Sequence, residues 1–207
     1  MNIKKLILQG EGTTLDFKKT ITSNEKIARS LVAFANNQGG QLLIGVGDDG
    51  SVKGVKSEDE ERYMILKSAH QFCRPAIEPD FEEVYVDDKL VLVVKIAPSG
   101  TKPHYALDEN KKWWVYFRVN DKSILASKVL VDVIRKGNDH TPNVITYNEQ
   151  EKQLLQFLND QGRITLKQFS KLTRNSYRQS QKILVSMIIG GIIRPHINEK
   201  EEFYTIA

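Results

Sequence analysis

The chain has 207 residues, of which 40% are hydrophobic and 27% are charged, and its formal net charge is +4 at pH 7. These values are ordinary for a globular protein and exclude disorder throughout the chain, and no apolar run approaches the roughly 20 residues of a membrane span. The single cysteine, Cys73, excludes an internal disulfide and an all-cysteine zinc site. The first residues have neither a long apolar region nor a small-residue cleavage site, which predicts a cytoplasmic protein with no membrane partner.

The first half of the chain predicts helices mixed with strands. Apolar residues at helical spacing predict a helix over 24–36, and acids in a first turn favour another over 57–73. Alternating residues predict a hairpin around Asp87-Asp88-Lys89, WWVYFRV predicts a further strand, and a short helix is expected around 126–136. Because there is no regular βαβ rhythm, we expect an α+β fold.

The segment FANNQGGQLLIGVGDDG, residues 34–50, raises the question of a phosphate-binding loop. A P-loop requires GxxxxGK[ST], and no lysine or hydroxyl residue follows a glycine at that spacing here. Residues 45–50, Gly45-Val46-Gly47-Asp48-Asp49-Gly50, have the GxGxxG spacing, but they lead into a turn and not into a helix, as a dinucleotide-binding loop would. We therefore predict that these glycines end a helix, add no side-chain bulk to a strand and form a hairpin turn.

Residues 137–147, GNDHTPNVITY, have little periodicity and predict a linker between a domain over 1–136 and a second over 148–207. The second domain reads helix, short strand, helix, helix, hairpin, with Asn175 expected to cap the third helix. That is the order of a winged helix, a helix-turn-helix variant whose third helix can enter the major groove of DNA. The segment resembles the winged-helix domains of bacterial transcriptional regulators.

Charge supports a polyanion partner for this second domain. Residues 161–198 contain no acid, although they carry seven Lys or Arg residues. The candidate DNA contacts donate to phosphates or pair with base edges, and they are Arg174, Ser176, Tyr177, Arg178, Gln179 and Lys182. The alternative is that these residues solvate a helix face and that the winged helix contacts protein.

Three blocks of the first domain resemble the Schlafen AlbA-like family: EGTTLDFKK, IARSLVAFANNQGGQLLIGVGDDGSVKGV and KPHYALDENKKWWVYFRVNDKSILAS. They span roughly residues 8–130, and the resemblance implies an α+β domain with a mixed sheet and an association with nucleic acid. In prokaryotes such domains often precede a winged helix in proteins described as transcriptional regulators. Candidate phosphate contacts here are Lys18, Lys102 and Arg118, and Tyr105 is a candidate for base stacking. Trp113 and Tyr116 are expected to pack on a sheet.

The resemblance also implies an enzymatic alternative. Some animal Schlafen proteins are metal-dependent RNA endonucleases with three carboxylates, whose positions correspond here to Glu11, Asp16 and the pair Asp48 and Asp49. Clustered carboxylates hold Mg²⁺ or Mn²⁺, which activates water. Asp16 is one carbon shorter than the family's glutamate, and Asp48 and Asp49 are also suited to capping a turn.

Together these features predict a two-domain transcriptional regulator that binds DNA and has no cofactor. RNA is a second candidate ligand. A homodimer is expected, since a two-fold protein reads a palindromic site. Two alternatives stay open. One is a metal-dependent endoribonuclease, and the other is a protein-interaction module.

Overall fold

The computed structural model describes residues 3–137 and 148–207. The chain divides into two compact units, Met1–Leu125 and Ala126–Ala207. In the described ranges, every helix is too short or too polar to cross a lipid bilayer.

Helices and strands alternate irregularly in the first unit. In chain order they are α1 (Ile3–Gln9), β1 (Leu15–Lys18), α2 (Asn24–Asn36), β2 (Gly40–Ile44), α3 (Glu58–Gln71), β3 (Cys73–Arg74), β4 (Asp80–Val86), β5 (Lys89–Ile96), β6 (Tyr105–Leu107), β7 (Trp113–Trp114), β8 (Tyr116–Val119) and β9 (Lys122–Leu125). The largest sheet has the order β1-β2-β5-β4, with β1 parallel to β2 and the other pairs antiparallel. This mixed sheet confirms the α+β fold.

Both faces of the large sheet are covered, which explains the uninterrupted apolar run in β5. Leu92 and Val94 pack with residues of α2 and α3, whereas Val91 and Val93 pack with Ile3 of α1 on the opposite face. Successive side chains of a strand point to opposite faces, so a strand buried on both sides is apolar at every position.

The glycines between α2 and the following turn have structural causes. A Cβ at Gly40 would collide with the Phe34 ring, so the strand can pass close to α2 only without a side chain there. Gly45 has φ +96°, and a Cβ there would lie 3.0 Å from the backbone carbon of Gly54. A left-handed backbone and close approach are both conditions that favour glycine.

Two predictions for this unit need correction. WWVYFRV is not one strand: it divides at the buried Val115 into β7 and β8, which belong to different sheets. The expected hairpin after β2 returns through a single bridge between Val46 and Val52 rather than through a second strand.

Over 126–137 and 148–207, the second unit is helical with one hairpin, and its elements are α4 (Lys128–Gly137), α5 (Glu149–Gln161), α6 (Leu166–Thr173), α7 (Tyr177–Ile189), β10 (Ile193–Ile197) and β11 (Glu202–Ile206). Ile164, between α5 and α6, forms a bridge with Tyr204 of β11. The core of this unit includes Leu154, Phe169 and Leu184.

Helix α4 belongs to this second unit, whereas the sequence pattern predicts it at the end of the first domain. Its Val129 is buried in the same core, with Val133 packed against it. Gly137 is the last residue of α4, and the rest of the predicted linker, 138–147, lies outside the described residues.

The N-cap of α7 is Ser176 rather than the predicted Asn175. The Ser176 hydroxyl accepts a hydrogen bond from the Gln179 N–H at 3.3 Å, as an N-cap does. Asn175 belongs to the preceding turn, where its N–H donates to the Ser170 carbonyl at 3.1 Å and its side chain accepts from Gln150 at 3.3 Å.

Candidate nucleic-acid interface

The first two turns of α7 carry an exposed polar surface. Tyr177 is 54% exposed, and Arg178, Gln179 and Lys182 are solvent-accessible as well. Arg178 and Lys182 are four residues apart and therefore lie on one face of the helix. Ser180 is fully buried and faces the core, so the polar surface is one side of an amphipathic helix. We define the α7 surface as Ser176, Tyr177, Arg178, Gln179 and Lys182.

Arg174 lies immediately before this surface. It ends α6 in a left-handed conformation with φ 56° and ψ 26°, and its side chain is exposed. Its N–H donates back to the carbonyl of Lys171 at 3.3 Å. The structure therefore places this arginine at the turn that leads into α7.

The β10–β11 hairpin uses some of the basic charge internally. Arg163 forms an ion pair with Glu201, 3.0 Å between Nη1 and Oε1, and lies 5.2 Å over the Phe203 ring. The His196 ring stacks on the same phenyl ring at a centroid distance of 4.9 Å. Asn198 caps the turn by accepting from the N–H groups of Lys200 and Glu201. One of the seven basic residues in the acid-free segment is thus neutralised by an acid beyond its end.

In the first unit, the structure brings Glu11, Asp16, Lys18 and Arg118 together at β1. The Oδ1 of Asp16 accepts from Arg118 Nη2 at 3.1 Å, and its Oδ2 lies 3.1 Å from Lys18 Nζ and accepts from the Ser30 hydroxyl at 3.2 Å. Glu11 Oε1 accepts from the Phe17 N–H at 2.7 Å. Arg118 also donates to the carbonyls of Gly12 and Leu15.

These contacts separate the pKa values of the two carboxyls. Burial, followed by the hydrogen bond with Asp16 and its charge, raises the pKa of Glu11 to about 7. Burial also acts to raise the pKa of Asp16, but the hydrogen bond with Glu11 and the charges of Lys18 and Arg118 outweigh it and hold that pKa below its usual value. Near neutral pH, Asp16 is therefore ionised, whereas Glu11 is partly protonated.

Glu11, Asp16 and Asp48 border one open groove of about 420 Å³. Asp48 is exposed, whereas Asp49 caps the turn by accepting from the N–H and hydroxyl of Ser51. Basic side chains that the sequence patterns did not indicate also line the groove, and they are Lys26, Arg29 and Lys122. Lys26 and Arg29 are three residues apart on the helix predicted over 24–36, and this spacing was the sequence signal that they share a face.

As arranged, the carboxylates do not fit a shared metal ion. Both oxygens of Asp16 already accept from Arg118, Lys18 or Ser30. Within residues 3–137 and 148–207, no three His, Cys, Asp or Glu side chains form a group that could hold a metal.

Two basic positions that the sequence predicts as phosphate contacts in the first unit form internal contacts instead. Arg118 is only 5% exposed, and it neutralises Asp16 beneath the groove. Lys102 Nζ donates to the Asn37 carbonyl at 2.6 Å, and burial lowers its pKa. Cys73 is buried on β3, and burial raises the pKa of its thiol to about 12, which agrees with a structural residue rather than a nucleophile.

The aromatic predictions have opposite outcomes. Tyr116 packs against the main core, as expected. Trp113 was predicted to pack on the sheet, and this prediction is wrong: the side chain is 37% exposed. It lies on β7, the edge of a three-stranded sheet of order β3-β6-β7.

Comparison with known proteins gives one family. The model described as Schlafen, AlbA_2 matches residues 11–127, which is more than half of the chain. Thirteen chains of solved structures also match. The DIP2311 protein from Corynebacterium diphtheriae is 20% identical, with a TM-score of 0.44. The match covers 63% of this chain and 25% of that protein. The N-terminal domain of a putative ATP-dependent DNA helicase RecG-related protein from Nitrosomonas europaea is 17% identical, with a TM-score of 0.45 over 72% of this chain and 94% of that domain.

Proposed function

Because the chain belongs to the Schlafen, AlbA_2 family, we propose that it is a nucleic-acid-binding protein that acts as a transcriptional regulator. In this proposal the second unit is a winged helix that binds duplex DNA through α7. The first unit adds nucleic-acid contacts or dimerisation, and a homodimer would read a palindromic site.

The observation that carries the proposal is the basic α7 surface. Arg178 and Lys182 are accessible on one helix face, Gln179 offers an amide for base edges, and Ser176 begins the helix. The segment 161–198 contributes no carboxylate that would repel phosphate. Cations and amide donors at the start of an exposed helix suit the entry of that helix into the major groove.

The order of elements supports the winged-helix part of the proposal. Helices α5, α6 and α7 are followed by the β10–β11 hairpin, and the short bridge at Ile164 joins the hairpin to the segment between α5 and α6. The exposed Lys200 lies at the hairpin turn, where a wing would meet the DNA backbone.

The test is binding of duplex DNA by the full chain at several salt concentrations, measured by fluorescence anisotropy. We expect Arg178→Ala and Lys182→Ala each to weaken binding and to reduce the slope of log affinity against log salt by about 1 for each phosphate that is no longer neutralised. Lys152→Ala removes an exposed lysine from α5 and serves as the matched control. Unchanged affinity and slope in both α7 variants would rule out α7 as the DNA-binding helix. Absence of any polyanion affinity would favour the protein-interaction alternative.

A metal-dependent ribonuclease is the second candidate, because Glu11, Asp16 and Asp48 border one groove. To bind a metal ion, Asp16 would have to give up its ion pairs with Lys18 and Arg118, which is why this candidate comes second. It predicts shortening of structured RNA with Mn²⁺ that disappears in Glu11→Ala and Asp16→Ala, provided that circular dichroism shows both variants folded. If structured RNA stays intact when it is incubated with the unaltered protein and Mn²⁺, the ribonuclease candidate is excluded.

A further inference from the structure

The small sheet β3-β6-β7 presents aromatic and cationic side chains on one face. Its register pairs Arg74 with Tyr105 and Leu107 with Trp113. Because Tyr105 and Leu107 are two residues apart on one strand, all four side chains lie on the same side of the sheet. We define the Trp113 face as these four residues.

The opposite side of this sheet belongs to the core of the first unit. Cys73 pairs with Ala106, and these residues are 4% and 2% exposed. Trp114 lies on that side of β7 beyond the covered part, because its side chain is 38% exposed, and its indole N–H donates to the Asp108 carboxylate at 2.8 Å. The two neighbouring tryptophans are about equally exposed and differ in their partners: Arg74 lies beside the Trp113 ring, whereas the Trp114 indole is hydrogen-bonded to the adjacent turn.

Positive charge accompanies the exposed ring. The Arg74 guanidinium lies 5.6 Å from the centre of the Trp113 ring, and within the described part of the chain it has no ion pair. Lys111 and Lys112, in the turn before β7, are exposed. Of the two acids in that turn, Glu109 is exposed, whereas the Asp108 carboxylate accepts three hydrogen bonds, from Trp114 and from the N–H groups of Asn110 and Lys112.

We propose that the Trp113 face binds single-stranded nucleic acid, with an unpaired base stacked on the Trp113 ring. The proposal rests on the proposed nucleic-acid function and deepens it for the first unit. An exposed indole on a rigid sheet supplies a stacking surface for any base, and an adjacent guanidinium with two lysines suits the phosphates on either side of that base. A duplex keeps its bases paired and stacked, so this face selects single strands.

The first experiment uses Trp113 as its own reporter, because the chain has only two tryptophans. Trp114→Phe leaves Trp113 as the sole indole, and Trp113→Phe leaves Trp114. We expect oligothymidine to quench the fluorescence of the Trp114→Phe protein strongly and that of the Trp113→Phe protein weakly. Equal quenching in the two proteins, or none in the first, would overturn the proposal.

The second experiment measures the affinity of the full chain for a labelled oligothymidine strand. Trp113→Ala is expected to weaken binding about tenfold, as the loss of one stacked base does, and Trp113→Phe to retain most of it. Tyr85→Ala removes an aromatic side chain that is 69% exposed on β4 and serves as the control. Circular dichroism establishes that each variant is folded. Equal affinities for the unaltered and Trp113→Ala proteins would overturn the proposal.

A third arm separates this inference from the proposed function of α7. In the Arg178→Ala/Lys182→Ala protein, we expect oligothymidine still to quench Trp113 even where duplex binding is abolished. If duplex binding survives in unaltered protein while oligothymidine binds without quenching, the Trp113 face fails and the α7 proposal stands.

Discussion

Arg118 and Asp16 form a buried ion pair, with side chains exposed by only 3% and 5%. The guanidinium also donates to the carbonyls of Gly12 and Leu15, so it satisfies three acceptors at the edge of β1. Removing one partner of such a pair leaves the other charge buried, and that penalty exceeds the net contribution of the intact pair.

We expect Arg118→Ala to lower the free energy of unfolding by about 3–5 kcal/mol, because it leaves the buried Asp16 Oδ1 and the carbonyls of Gly12 and Leu15 without their donor. Arg118→Lys should recover part of this loss, since an ammonium restores the charge but not the forked geometry. Lys18→Ala, at the partly exposed partner of the same carboxylate, should cost only about 1 kcal/mol. Urea denaturation measures all three. Comparable losses for Arg118→Ala and Lys18→Ala would contradict the argument.

His104 is held neutral in the first unit. Its Nδ1 lies 2.9 Å from the Pro75 carbonyl, which can only accept, so this nitrogen carries the proton. Its Nε2 lies 2.7 Å from the Ser99 hydroxyl and accepts from it. Burial, with a smaller effect from the charge of Lys102, lowers the pKa of the ring.

This lowered pKa predicts a loss of stability on mild acidification. Between the lowered folded pKa and the unfolded value of about 6.5, the unfolded chain binds a proton that the folded protein does not. The contribution of His104 is therefore complete above about pH 6.5 and falls as the pH drops below that value. Glu11 acts in the opposite sense, because its raised pKa stabilises the folded protein at low pH and that effect disappears as the pH rises through about 7.

Comparison of variants separates the two effects. In urea titrations at about pH 5 and pH 7.5, His104→Gln should lack the component that weakens the protein in acid. Glu11→Gln should retain that component and lack the opposing one. If the difference in stability between the two pH values is the same in His104→Gln as in the unaltered protein, His104 is not the titrating group.

At the level of elements, the turn between α6 and α7 combines backbone strain with a proposed DNA contact. Arg174 adopts φ 56°, a conformation in which glycine and asparagine are more stable than arginine. An arginine there is explained if its guanidinium contacts DNA ahead of α7.

Arg174→Gly is therefore expected to raise the free energy of unfolding by about 0.5–1 kcal/mol while weakening duplex DNA binding. Arg174→Asn should gain less stability than Arg174→Gly, since asparagine tolerates this conformation without matching glycine. It should weaken duplex binding as well, because it also lacks the guanidinium. Thermal denaturation and anisotropy titrations measure the two effects. A variant that gains stability with full DNA affinity would leave the strained arginine without a role in binding.

The elements that could be predicted from sequence are those with a local signal. The helix over 24–36 has an N-cap and apolar spacing, and the structure gives those bounds unchanged. Strand β1 was missed because LDFK is short and pairs in parallel with β2, a contact between distant residues that no local pattern records. The division at Val115 was missed for a similar reason, since the two halves of WWVYFRV pair with different partners.

In the candidate sites too, residues with a local sequence signal could be predicted, and residues whose contacts lie far away in sequence could not. The residues of α7 could be named because helical spacing determines which side chains share a face. Arg118 could not be recognised as a buried partner of Asp16, because 102 residues separate them in sequence. The exposure of Trp113 was equally hidden, since it depends on which strands cover a sheet.

At the scale of the whole molecule, each unit has its own hydrophobic core. Leu92 belongs to the core of the first unit and Leu184 to that of the second, and both are fully buried. Leu→Ala at such a site typically costs about 2–5 kcal/mol, because transfer free energy is lost and a cavity remains. A unit with its own core is expected to open as a cooperative segment.

We therefore expect Leu184→Ala to accelerate amide hydrogen exchange in α5, α6 and α7 while the large sheet keeps its protection. Leu92→Ala should give the reciprocal pattern, with faster exchange in β2 and β5. Exchange followed by mass spectrometry on the full chain resolves the two sets of peptides. The same Leu184→Ala protein should lose duplex affinity in proportion to the opening of α7 and keep its affinity for oligothymidine, because the Trp113 face lies in the first unit. Faster exchange throughout both units from either substitution would mean that the chain unfolds as one cooperative body, and the two binding activities would then fall together.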